Sequence, residues 1–158
     1  MRMPSTGWTN LSAIEGHVCG HIAQRREFLL EDLKRHVAIP TGGNNAHALD
    51  ETRGLLTRRL EGLGARVEIL PGDPRPAWLY GVDPSAPHLP TAVCTRTTDH
   101  RCGARILLAG HLDTVHDPQG AFRELSIRAD GRTATGPGCV DMKGGLVILV
   151  AALESLEA

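Results

Sequence analysis

The sequence predicts an α/β domain, in which helices pack against a sheet. Three observations indicate this class. Leucines at helical spacing over residues 49–63 are followed, after a single glycine, by the alternating strand Ala65–Leu70. The consecutive apolar residues within Arg105–Ala109 are typical of a central strand covered on both faces. The apolar segment Met142–Leu156 predicts a largely buried helix. At 158 residues the chain is long enough for one domain with a substantial core.

The first part of the chain predicts helices. Ser12 and Glu15 have the spacing of a capping box, which opens a helix that Pro40 closes. Gly64 lies where the cap of a second helix is expected. The apolar positions that define the two helices are Phe28, Leu29, Leu33 and Val37 in the first, and Leu49, Leu56, Leu60 and Leu63 in the second.

The remaining segments predict short strands and irregular connections. Prolines are so dense over Pro71–Pro90 that no regular element is expected there. Ala92–Thr97 predicts a strand, and Asp99–Gly103 predicts a turn. Phe122–Ile127 and Arg132–Thr135 predict a hairpin, because an Asp-Gly turn lies between them.

Composition and charge exclude several classes of function. The net charge is −1 and no long basic run occurs, so we expect no nucleic-acid partner. The longest apolar run, Leu146–Leu153, is far shorter than a membrane span, and the first residues lack the apolar core of a signal peptide. The four cysteines show no C-x-x-C spacing and predict reduced thiols. We therefore expect a cytoplasmic protein with no membrane partner.

Two motifs carry potential chemistry. The predicted strand at 105–109 runs into His111-x-Asp113, at the carboxyl end of the strand, where α/β proteins bind ligands. In extended backbone the two side chains share one side, so Asp113 can orient the imidazole of His111. Asp141 follows a glycine-rich turn at a helix N-terminus, and a carboxylate there can bridge two cations. The alternative, a phosphate loop ending at Lys143, lacks the required Gly-Lys-Ser/Thr.

The stretches His111–Val115 and Gly136–Gly145 resemble the two N-terminal signatures of a zinc-dependent exopeptidase and deacylase family. That family includes glutamate carboxypeptidase, acetylornithine deacetylase, succinyl-diaminopimelate desuccinylase and the aminoacylases. The resemblance implies a three-layer αβα catalytic domain and a metallopeptidase or amidohydrolase activity. The implied reaction cleaves an amide or peptide bond of a small peptide or N-acyl amino acid with a dizinc-activated water, and the implied assembly is a homodimer.

The resemblance also implies a role for each motif residue. His111 would ligate one zinc ion, Asp141 would bridge two, and Asp113 would be the catalytic-site acid that orients His111. Co²⁺ or Mn²⁺ are alternative metals. The peptide bond after Asp141 is often cis in enzymes of this kind.

The sequence departs from the family pattern in one respect. The general-base glutamate and the remaining acidic and histidine ligands lie beyond the second signature in the family. We therefore expect residues 1–158 to be the N-terminal portion of the catalytic domain, without the dimerisation domain and inactive alone. The alternative is a non-catalytic, truncated paralogue that acts as a binding or regulatory module.

Overall fold

A computed structural model describes residues 11–43, 45–74, 76, 78, 88–97 and 104–158. Two helices stand where the sequence predicted one, because α1 (Ala13–Gln24) and α2 (Arg26–Ala38) meet at a break at Arg25. The predicted capping box is confirmed. The Ser12 hydroxyl accepts a hydrogen bond from the Glu15 N–H at 3.3 Å, and the Glu15 carboxylate accepts one from the Ser12 N–H at 2.8 Å.

The predicted passage from helix to strand is confirmed. Helix α3 (Ala46–Gly62) is capped by Asn45 at its start and is followed by Gly64, whose φ is +82°. Strand β1 (Arg66–Leu70) then pairs antiparallel with β2 (Thr91–Thr95). Helix α3 and strand β1 thus follow each other in the order that the leucine spacing and the alternating residues indicated.

The prediction of a buried central strand at Arg105–Ala109 is wrong. This segment belongs to no strand, and Ile106 and Leu107 are 85% and 90% exposed. A central strand requires hydrogen-bonded neighbours on both sides, and no described segment pairs with this one. The apolar run predicted burial, but burial depends on pairing partners that a local pattern cannot supply.

A second hairpin is shorter than predicted. Strands β3 (Ser126–Ile127) and β4 (Ala134–Thr135) pair antiparallel, and Gly131 turns the chain between them with φ of +65°. The described strands therefore form two separate two-stranded sheets. The predicted turn at Asp99–Gly103 lies outside the described residues, as does much of Pro71–Pro90.

Helix α4 (Lys143–Leu156) is the element around which the other helices pack, and its apolar sequence predicted a largely buried helix. It contacts α1, α2 and α3. The cluster at the centre of the core consists of Leu56, Leu146 and Val150, surrounded by Leu60, Leu112, Met142 and Leu149. The result is a mixed architecture of helices and small sheets, compatible with the α/β class. Within the described ranges, no helix has both the length and the apolar character needed to span a membrane.

An ion network of mostly buried side chains joins α2, α3, α4 and the break between α1 and α2. Arg59 of α3 donates to Glu154 of α4 through Nε at 2.7 Å and Nη2 at 3.0 Å, and to Asp32 of α2 through Nη1 at 2.5 Å. Arg25, between α1 and α2, also donates to Glu154, at 2.6 Å. The hydrogen bonds from Arg59, followed by those from Arg25, hold the pKa of Glu154 below its usual value.

Glu154→Gln is expected to destabilise the fold by roughly 1–3 kcal/mol at pH 7, because it removes the carboxylate that Arg25 and Arg59 share and leaves Arg59 with Asp32 alone. Since the folded pKa of Glu154 is lowered, its contribution is present above the ordinary pKa of about 4.3 and is lost as the pH falls through the folded value. Urea unfolding at pH 7 and pH 3 tests this. The difference between variant and wild type should shrink at pH 3. Glu157→Gln, in an exposed pair with Arg96, is the matched control and should change little.

Candidate metal centre

The three predicted site residues lie together in the structure. The Nδ1 atom of His111 is 3.2 Å from Oδ1 of Asp113 and 3.1 Å from the Asp113 carbonyl oxygen. On the other side of the ring, Nε2 of His111 is 2.8 Å from Oδ1 of Asp141. The imidazole therefore lies between two carboxylates, one from its own segment and one from the turn before α4.

The ring orientation has a direct chemical consequence. An imidazole that donates its Nδ1–H to Asp113 presents the lone pair of Nε2 on the side of Asp141. This is the arrangement in which a carboxylate fixes the tautomer of a metal-binding histidine. The expected geometric relation between His111 and Asp113 is thus present, although no regular strand precedes them.

The turn that carries Asp141 is held against the His111 segment. The His111 N–H donates to Sδ of Met142 at 3.3 Å, and the peptide bond between Asp141 and Met142 is cis. Gly138 turns the chain with φ of +69°, and a Cβ atom there would lie 2.9 Å from the Thr114 methyl carbon. Only glycine fits this close, left-handed turn without displacing its neighbours.

The site is exposed to solvent and negatively charged. The side chains of His111 and Asp141 are 46% and 84% exposed, so both are accessible to an incoming ion. The hydrogen bond to Asp141 raises the pKa of His111, and the charge of Asp113 raises it further. A cation at Nε2 must replace the proton that these carboxylates favour, so metal binding weakens as the pH falls.

A buried lysine holds the turn that carries Asp141 against the end of α2. Lys143 is 1% exposed, and its Nζ donates to the carbonyl oxygen of Ile39 at 2.5 Å. Burial lowers the pKa of Lys143 to about 8. The sequence did not reveal this role, because a lysine at the start of a helix is ordinarily solvated. Its one local signal is the Gly144-Gly145 pair that follows, which allows close packing.

The segment between α2 and α3 also supports the two motifs that carry the site residues. The Thr114 N–H donates to the Thr41 carbonyl oxygen at 3.3 Å, and Gly42 and Thr114 form an isolated parallel bridge. Together with the Lys143–Ile39 hydrogen bond, this bridge ties the loop after α2 to both motifs. These supporting residues were not predicted from the sequence, since backbone pairing over such a separation leaves no local pattern.

The donor set fits a divalent metal ion. A neutral imidazole nitrogen and a carboxylate oxygen are donors that Zn²⁺ accepts, and His111 and Asp141 present one of each to the same point. Across the part of the chain that the structure describes, no three or more His, Cys, Asp or Glu side chains form a complete metal cluster. The described residues thus supply two donors, against four in a closed zinc site.

Comparison with known protein families agrees with this chemistry. Residues 107–158 match the family described as Peptidase family M20/M25/M40. The match covers the last third of the chain and includes His111, Asp113 and Asp141, and it supports the broad family. No curated protein matches the chain significantly. Peptidases of this family are generally metal-dependent, so the match indicates a metal-dependent peptidase or hydrolase function.

Proposed function

We propose that this protein is a hydrolase of the carboxypeptidase or deacylase type, and that His111 and Asp141 hold its metal. The substrate class is a small peptide or an N-acyl amino acid, and the bond cleaved is an amide. The observation that carries the proposal is the approach of His111 Nε2 to Asp141 Oδ1 at 2.8 Å, within the segment that matches the peptidase family.

Each residue has a distinct part in this proposal. His111 and Asp141 would provide the nitrogen and oxygen donors. The second oxygen of Asp141 accepts no hydrogen bond from the described residues, so this carboxylate would be able to bridge two ions. Asp113 would keep the Nδ1 proton of His111 in place, so that Nε2 remains a lone-pair donor. When bound, Zn²⁺ supplies Lewis-acid polarisation of the amide carbonyl and lowers the pKa of water. The exposure of the site supports access for a soluble substrate.

The substrate class rests on the family match and on the sequence resemblance, so it is tested by activity. Amine release from N-acetyl amino acids and dipeptides is measured with the complete product of the gene, rather than with residues 1–158 alone, in the presence of Zn²⁺ and in the presence of a chelator. We expect release that requires the metal and disappears in His111→Ala. Release that continues at the same rate in the chelated enzyme or in the variant would contradict the proposal. A complete lack of turnover would also contradict it and would favour a binding or regulatory module.

A further inference from the structure

A cleft lies between α2 and α3, apart from the candidate metal centre. Its volume is about 330 Å³, which is in the range of small-molecule sites. The residues that line it are Asp32, Arg35, His36, Leu55, Arg58 and Arg59. None of them belongs to the His111–Asp113–Asp141 site, so this cleft has no part in the function proposed above.

The cleft carries positive charge that the described protein does not neutralise. Arg59 is paired with Asp32 and Glu154. By contrast, Arg35 on α2 and Arg58 on α3 form no ion pair with any described residue. Two arginines without an ion pair among the described residues, one from each helix, therefore line the same cleft. Planar guanidinium groups bind carboxylate and phosphate oxygens through paired hydrogen bonds.

His36 adds a third polar side chain to the lining of the cleft. It is 3% exposed, and neither ring nitrogen has a hydrogen-bond partner among the described residues. The closest acidic atom, Oδ1 of Asp32, is 3.7 Å from Nε2. Because His36 also lines the cleft, its ring can form a hydrogen bond with a group that enters the cleft from solvent.

The charges around His36 oppose its protonation. Burial is the main cause that lowers its pKa, and Arg59, Arg35 and Lys143 lower it further, while Asp32 acts in the opposite direction. These charged groups lie on α2, α3 and α4. An anion bound in the cleft would favour the protonated ring and would therefore raise the pKa of His36.

We propose that the cleft between α2 and α3 binds a small dianionic oxyanion, with Arg35 and Arg58 as the charged ligands and the His36 ring as a third hydrogen-bonding group. Phosphate monoesters and short dicarboxylates share this chemistry, and both are small enough for the cleft. Asp32 also lines the cleft, and its ion pair with Arg59 offsets the charge of that carboxylate beside the ligand.

The test follows the ring resonances of His36 by NMR at pH 7.5, assigned by their loss in His36→Gln. Inorganic phosphate, malonate and sodium chloride are added to the whole chain at equal ionic strength. We expect a saturable shift and a rise in the pKa of His36 with phosphate or malonate, and no saturable shift with chloride. The stronger of the two binders identifies the oxyanion. A response to chloride equal to that of both dianions, or a linear response to all three, would overturn the proposal.

Three variants distinguish a specific dianion-binding site from a general effect of the protein's net charge. Arg35→Gln and Arg58→Gln should each weaken dianion binding about tenfold or more, because each removes a charge-assisted pair of hydrogen bonds. Arg128→Gln removes the same charge from the exposed second hairpin and should leave binding unchanged. Equal weakening by all three variants would show screening of net charge rather than a site. Because none of these residues contacts His111 or Asp141, failure here would not affect the proposed hydrolase.

Discussion

Asp141→Asn is expected to weaken Zn²⁺ binding by about a hundredfold. The carboxylate oxygen of Asp141 lies 2.8 Å from His111 Nε2, and the substitution removes the negative charge while it keeps the shape. Loss of a partner that only orients a metal-bound histidine typically reduces affinity 10–100-fold, so loss of a direct donor should have at least the larger effect. Competition with a chromogenic chelator measures the change.

The same variant has a second readout that does not depend on metal. The hydrogen bond to Asp141 is the largest cause that raises the pKa of His111, so this pKa should fall in Asp141→Asn. Asp130→Asn is the matched control, since Asp130 accepts a hydrogen bond from the Arg132 N–H that an asparagine oxygen also accepts. Equal metal affinities for the two variants would show that Asp141 is not a ligand.

Gly42→Ala is expected to destabilise the protein by about 2–4 kcal/mol. A Cβ atom at Gly42 would lie 1.7 Å from the carbonyl oxygen of His116, so the backbone has to move. This movement would break the bridge between Gly42 and Thr114, which supports the segment that follows His111 and Asp113. Chemical unfolding measures the loss, and Zn²⁺ affinity should fall together with stability.

Gly20→Ala is the control for Gly42→Ala. Gly20 lies inside α1, and no atom is within 4 Å of its added Cβ. Alanine in place of glycine within a helix stabilises by roughly 0.5–1 kcal/mol, so this variant should be slightly more stable than wild type. If both alanine variants behaved alike, the close contact between Gly42 and His116 would not be a determinant of stability.

Local signals predicted most of the helical segments and the contact between His111 and Asp113. The capping box at Ser12, the glycine after α3 and the apolar sequence of α4 each act within a few residues, and each is confirmed. The His-x-Asp spacing also acts locally, and it correctly predicted that Asp113 contacts the His111 ring. A pattern that depends on one turn or one pair of neighbours can be read from sequence.

Features that depend on distant partners could not be predicted in this way. The apolar run at Arg105–Ala109 indicated burial, but the described residues provide no strand to pair with it. The hydrogen bond from Lys143 to Ile39 joins residues 104 positions apart, and the bridge from Gly42 to Thr114 is similarly remote. Such contacts are products of helix packing, because α4 brings the turn at its start against the end of α2.

The central claim is that His111 and Asp141 are ligands of one metal ion, and NMR of the His111 ring nitrogens tests it most directly. On addition of Zn²⁺ to the whole chain, we expect the Nε2 resonance to move to a metal-bound position while Nδ1 stays protonated and hydrogen-bonded to Asp113. The same titration of Asp141→Asn should require far more Zn²⁺. Saturable Zn²⁺ binding that leaves both nitrogens of His111 unchanged would contradict the claim.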